Sequence, residues 1–180
     1  MVYLFLADGF EEIEALTPVD VLRRAGAELS IVSVSDGDTV RGSHGIKVKS
    51  DIGISSVDAG NAEMYVLPGG MPGTNNLFAC DELKKLIANG AEKGIFIAAI
   101  CAAPSVIGRM GLLEGRKATC YPGYEKYLSG AVCTGAPVET DGNFITARGM
   151  GVSLDFALAL CAALKGQGKA DEIRASVQAV

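Results

Sequence analysis

Cys101 stands where an apolar run, Gly94–Ile100 (GIFIAAI), meets a helical stripe, Ala102–Met110, with only small residues around it. A tight strand-to-helix turn of this kind is the geometry that exposes a nucleophile above a sheet. A helix start also offers free N–H groups and positive potential, which favour thiolate over thiol and predict a lowered pKa. The alternative is that Cys101 is a small buried hydrophobe, as free cysteines commonly are. Cys80, Cys120, Cys133 and Cys161 lack that setting, and Cys161 falls on the apolar face of a helix.

Two other strand ends carry polar chemistry. Pro68-Gly69-Gly70 follows the apolar run Met64–Leu67, and its unhindered amides could hold an oxyanion formed by attack of Cys101 on a carbonyl. A plain turn would have the same residues. Three carboxylates, Glu11, Glu12 and Glu14, follow the run Val2–Ala7. A glutamate pressed against Cys101 would keep a proton, because two adjacent anions are costly, and could then serve as a general acid or base. Glutamates at a helix start also simply complement the dipole, and spacing does not choose among the three. The single histidine, His44, lies in Gly42-Ser43-His44-Gly45 and reads either as a partner for the cysteine or as a solvated imidazole. One histidine excludes any site needing two imidazoles, the HExxH helix included. Neither GGMPGT nor RGMGVS has the glycine spacing of a dinucleotide fingerprint, and no P-loop is present, so no metal or cofactor is expected. Tyr121, Tyr124 and Tyr127 fit a pocket mouth or a half-buried helix face equally well. Arg23, Arg24 and Arg148 read as solvated, or as paired across a subunit contact.

The elements that must position these residues are legible as alternating strands and helices. Val2–Ala7, Leu29–Val34, Met64–Leu67 and Gly94–Ile100 are continuous apolar runs, which suit strands covered on both faces. Helices are predicted over Pro18–Ala25, Asp81–Lys93, Ala102–Met110 and Ser153–Leu164. Gly26 reads as a C-cap, Ser153 as an N-cap and Gly166 as a stop. Val40–Ser50, and Val138–Asp141 with Asn143–Thr146, read as hairpins. The alternation predicts an α/β fold with a mostly parallel sheet and helices on both faces. In such a sheet, ligands bind beyond the carboxyl ends of the strands, which is where the three stretches lie.

No linker or repeat divides the 180 residues, and 49% apolar composition fills one core, so residues 1–180 read as a single domain. Twenty-one acidic against 16 basic residues give a charge of -5, which argues against nucleic acid and anionic membrane as partners. No apolar run approaches the ~18 residues of a membrane span. Five cysteines without a CxxC pair predict free thiols in a reducing cytoplasm.

Taken together, four stretches resemble the ThiJ/PfpI superfamily, in the branch of the parkinsonism-associated deglycase and bacterial YajL. They are Asp8-Gly9-Phe10-Glu11-Glu12-Ile13-Glu14 running on into Thr17–Gly26; Val66-Leu67-Pro68-Gly69-Gly70; Ala98–Pro104 around Cys101; and Thr146–Gly149 followed by Ser153–Leu158. The resemblance implies a flavodoxin-like three-layer sandwich, a homodimer, Cys101 as nucleophile and Glu14 as its partner carboxylate. It also implies oxyanion donors on the backbone of Gly70 and Ala102, next to Gly69. Members of the branch are described as cofactor-independent glyoxalases or deglycases acting on methylglyoxal and its adducts, and as oxidative-stress proteins. A small carbonyl substrate is therefore expected, with a redox sensor or chaperone lacking turnover as the alternative. Two positions depart from the pattern. Tyr121 stands where this branch often has a histidine, and Ala102 stands where the peptidase branch has one, which leaves a protease triad without a base.

Overall fold

A computed structural model describes residues 1–179. The chain opens with strand β1 (Val2–Leu6), helix α1 (Glu12–Arg24) and strand β2 (Leu29–Ser33). A small antiparallel hairpin, β3 (Thr39–Arg41) and β4 (Lys47–Lys49), precedes the short β5 (Ile52–Gly53) and β6 (Met64–Leu67). Helices α2 (Gly73–Ala79) and α3 (Asp81–Glu92) lead to β7 (Phe96–Ile100) and α4 (Pro104–Arg109). The short strands β8 (Lys117–Ala118) and β9 (Val132–Cys133) pair with each other. The hairpin β10 (Val138–Asp141) and β11 (Phe144–Ala147) then joins the main sheet, and α5 (Ser153–Lys165) and α6 (Gln167–Ser176) follow.

The main sheet runs β10-β11-β7-β6-β1-β2-β5 and is parallel except for β10 against β11. Its central strands β1, β6 and β7 are buried on both sides, which is why they carry unbroken apolar runs rather than alternation. In β1, Val2, Leu4 and Leu6 face a core built with Ala15, Val19, Leu22, Phe156 and Leu160. Tyr3 and Phe5 face a second core built with Leu77, Leu83, Ile87, Val106 and Ile107. Thus α1, α5 and α6 cover one face, and α2, α3 and α4 the other: the three-layer sandwich. Among the described residues, no helix is long and apolar enough to cross a membrane.

Several boundaries differ from the sequence reading for identifiable reasons. Helix α1 begins at Glu12, not Pro18; the proline sits inside it, at the cost of one backbone donor, because Ala15, Pro18, Val19 and Leu22 form a buried stripe. Ser153 does not cap α5: it is the first helical residue, and its hydroxyl donates to the Met150 carbonyl at 2.8 Å. Helix α4 starts at Pro104 and has six residues, so Cys101–Ala103 form a turn ahead of it. The three tyrosines do not share an α-helix face. Tyr121 lies in a bend, and Glu125–Tyr127 make one 3₁₀ turn.

Candidate active site

The sheet reverses its winding at β1, which has β2 on one side and β6 on the other. A crevice opens beyond the carboxyl ends at such a point. Three backbone turns converge there. The amide of Glu11, after β1, donates to Gly69 O at 2.9 Å, and the amide of Gly73 donates to Gly9 O at 3.1 Å. After β7, the Cys101 amide donates to Ala147 O at 2.9 Å, while the Tyr121 amide donates to Cys101 O at 2.7 Å. Cys101 itself has φ +65°, the left-handed region that non-glycine residues rarely occupy. The strained turn lifts its side chain above the strand ends, where the thiol is half-buried.

Glycine is required in the turn after β6. Gly70 has φ +92°, and a Cβ there would run into the backbone of Gly9, Phe10 and Glu11. The Gly69 amide donates to Glu14 Oε2 at 2.9 Å, and the backbone of Gly70 and Ala102 is aimed at the Cys101 sulfur. Glu14 is fully buried. Its Oε1 has no hydrogen-bond partner of ordinary geometry, and the carboxyl's other neighbour is the Cys101 thiol.

The three glutamates take three different tasks. Glu11 caps α1, its Oε2 accepting the Glu14 amide at 2.7 Å. Glu12 is buried and accepts from the His44 amide and ring Nδ1, both at 2.8 Å. Glu14 enters the crevice. His44 is therefore not a pocket residue: it sits at the hairpin tip on Glu12, away from the cysteine cavity. Glu11, Glu12 and His44 come within 4.8 Å of one another, but both carboxylates are already engaged by capping and ion pairing.

The electrostatics correct one sequence expectation. Burial pushes Glu14 up to about 7, against the lowering effect of the Cys101 and Gly69 hydrogen bonds. The Cys101 thiol is also raised, to about 12, first by burial and then by the charge and hydrogen bond of Glu14; the amides of Ala102 and Gly70 pull the other way. The predicted lowering fails because burial and the neighbouring Glu14 outweigh the amides of Ala102 and Gly70. Two anions here exclude each other, so the groups titrate as a pair that loses one proton near neutrality. In that state Glu14 carries the charge beside the Cys101 thiol. Passing the thiol proton to that carboxylate gives a protonated Glu14 and a thiolate that accepts from the main-chain amides.

A cavity of about 190 Å³ opens over the sulfur, lined by Gly70, Met71, Cys101, Ala102, Tyr121 and Tyr124. Tyr121 and Tyr124 meet edge-on with ring centroids 6.4 Å apart. Met71 went unnoticed in the sequence; its only signal was an apolar residue directly after Gly-Gly, and it is 45% exposed.

Residues 1–163 match the DJ-1/PfpI family. The chain belongs to that family. It is 40% identical to Arabidopsis thaliana protein DJ-1 homolog B over 93% of its length, although it spans only 39% of that relative. A protein named a deglycase from Pyrococcus horikoshii is 34% identical, with 82% of this chain and 90% of that one covered. The solved structure of Toxoplasma gondii DJ-1, described as oxidized, superposes with a TM-score of 0.93 at 35% identity, covering 98% and 97% of the two chains. The turns that the family resemblance singled out are the ones that meet around Cys101.

Proposed function

We propose that the chain is a cofactor-independent glyoxalase or deglycase acting on small 2-oxoaldehydes or their adducts. The observation that carries this reading is the buried pairing of Cys101 with Glu14 beneath the amides of Gly70 and Ala102. The deglycase-named archaeal relative supports it. The thiolate attacks the aldehyde carbon of methylglyoxal, forming a C–S bond and placing the carbonyl electron pair on oxygen. The Gly70 and Ala102 amides hold that oxyanion, and Glu14 gives it a proton. Glu14, now a carboxylate, removes the proton from the former aldehyde carbon to give an enediolate. It returns that proton to the neighbouring carbon while the hydroxyl proton on the former aldehyde oxygen passes to the neighbouring oxygen, which completes a thioester of lactate. Water cleaves the thioester, releasing lactate and the free thiol. Overall the dicarbonyl gains one water, with no external oxidant. The one imidazole of the chain, His44, sits on Glu12 rather than over the sulfur, so Glu14 carries each of these transfers. The homodimer implied by the family resemblance is part of the same reading, and sedimentation equilibrium checks it.

Methylglyoxal consumption without glutathione tests the reaction, wild type against Cys101→Ser. Loss of turnover in the variant is expected, and equal rates would overturn the reading. A second reading, a peroxide sensor without turnover, draws on the relative described as oxidized. The same amides and protonated Glu14 would hold a Cys101 sulfinate. A mass gain of two oxygens at Cys101 under mild peroxide, with no carbonyl consumption, would favour the sensor.

A further inference from the structure

The ring of Tyr121 is a wall shared by two cavities. One is the 190 Å³ space over Cys101; the other, about 390 Å³, is lined by Tyr121 together with Pro122, Arg148, Gly149, Met150 and Val152. Tyr121 is 51% exposed, and its backbone is anchored at the site. The Tyr121 amide is bonded to Cys101 O, and a Cβ on Gly149 would already lie 3.4 Å from Tyr121 Cδ2. Arg148 is tied to the same frame. The residue before it, Ala147, accepts the Cys101 amide, and its own amide donates to Pro137 O at 3.0 Å.

The outer cleft is mostly apolar, and its one charged lining residue is Arg148. Arg23, Arg24, Arg116 and Arg174 each pair with a carboxylate, and Arg109 stacks on Phe78 and Tyr127. Among the described residues Arg41 and Arg148, both exposed, have no ion pair, side-chain hydrogen bond or ring contact, and of these two only Arg148 lines the cleft. In a chain of net charge -5, a guanidinium left unpaired beside a cleft next to the reactive sulfur is suited to a carboxylate supplied by a ligand.

We propose that Arg148 is a specificity-determining residue, and that the cleft beyond Tyr121 takes the carboxylate end of a 2-oxoaldehyde whose aldehyde carbon is seated at Cys101. This rests on the proposed reaction and narrows its substrate class to carbonyl compounds with an anionic tail a few atoms long. Apolar atoms of the chain lie against Pro122, Met150 and Val152, and the tail reaches Arg148.

The test compares kcat/KM for 4,5-dioxopentanoate with that for the neutral 2-oxopentanal. Wild type should prefer the anion. Arg148→Gln should reduce that preference about tenfold, the order of discrimination one charged hydrogen bond supports, and Arg148→Lys should restore part of it. A second measurement needs no turnover: 4-oxopentanoate, a ketone that cannot form the thioester, should protect Cys101 from iodoacetamide better than 2-pentanone does. That advantage should vanish in Arg148→Gln. Protection that depends on Arg148 without turnover of either aldehyde would sink the reaction and keep the subsite. Turnover of both aldehydes, with preference and protection shifting less than twofold in Arg148→Gln, would overturn the subsite alone.

Discussion

Glu14 and Cys101 meet across a residue that has no side chain: a Cβ placed on Gly69 would stand 2.7 Å from Glu14 Oε2 and 2.8 Å from Cys101 Cβ. Gly69 is buried and its backbone is not in the left-handed region, so the demand for glycine here is purely one of space. Gly69→Ala should therefore abolish methylglyoxal turnover and destabilise the fold by about 1–3 kcal/mol, the range for an overpacked interior. Gly168→Ala is the contrast. It lies in α6 with open space around its Cα, so alanine should leave turnover alone and stabilise by up to about 1 kcal/mol. Urea unfolding of both variants, with activity, checks the pair.

The pH dependence of Cys101 alkylation should report the carboxyl as well as the thiol. Burial raises Glu14 to about 7, and burial together with the Glu14 charge raises Cys101 to about 12. The first proton leaves the pair near 7, and reactivity toward iodoacetamide should rise with a midpoint there. In Glu14→Gln that step should disappear, leaving a single rise in or above the ordinary thiol range of about 8.5. A wild-type midpoint unchanged by the substitution would separate the two residues.

The same carboxyl should also weaken the fold at high pH. Its folded value is about 7 against 4.5 as the unperturbed reference, so between these values the native state holds a proton that the unfolded chain has released. Stability from this group is greatest below pH 4.5 and is lost as pH rises through 7. The buried charge costs up to about 3 kcal/mol at pH 8, by the conversion of about 1.4 kcal/mol per unit. Glu14→Gln should accordingly be more resistant to urea than wild type at pH 8, and the gap should close at pH 4.5. Equal midpoints at both pH values would mean that Glu14 is not held as described.

What the sequence made legible follows from what each signal measures. Continuous apolar runs located β1, β2, β6 and β7 because strands covered on both faces must be largely apolar, and three of them, β1, β6 and β7, carry the site. The two-residue strands β5, β8 and β9 have no period to read. Pro18 hid the first six residues of α1, because a proline normally marks a first turn, and here burial of its ring outweighs the lost donor. The pairing of Cys101 with one glutamate rather than another was not readable from spacing. It depends on Glu11 capping the helix and Glu12 turning toward the hairpin, both tertiary events. The thiol's acidity was misread for the same reason, since local position suggests a helix dipole, whereas burial and a neighbouring carboxyl dominate.

His44 provides the sharpest separation of site from scaffold. Its ring is raised above its ordinary value by the hydrogen bond and charge of Glu12. Glu12, though raised by burial, is brought below its ordinary value by hydrogen bonds from the His44 ring, its own amide and the amides of His44 and Ile46. The contribution of His44 is thus fully present below pH 6.5 and lost as pH rises through its raised value; that of Glu12 is lost as pH falls below 4.5. Between those limits the ion pair holds the β3–β4 hairpin onto α1. Hydrogen exchange at the His44 and Ile46 amides should lose protection above neutrality faster than base catalysis alone explains, and His44→Ala should remove that pH dependence. The alkylation profile of Cys101 should be the same in His44→Ala as in wild type, because the imidazole lies on Glu12 rather than over the sulfur. If His44→Ala erased the step near pH 7, the histidine would be the proton carrier and the assignment to Glu14 would fall.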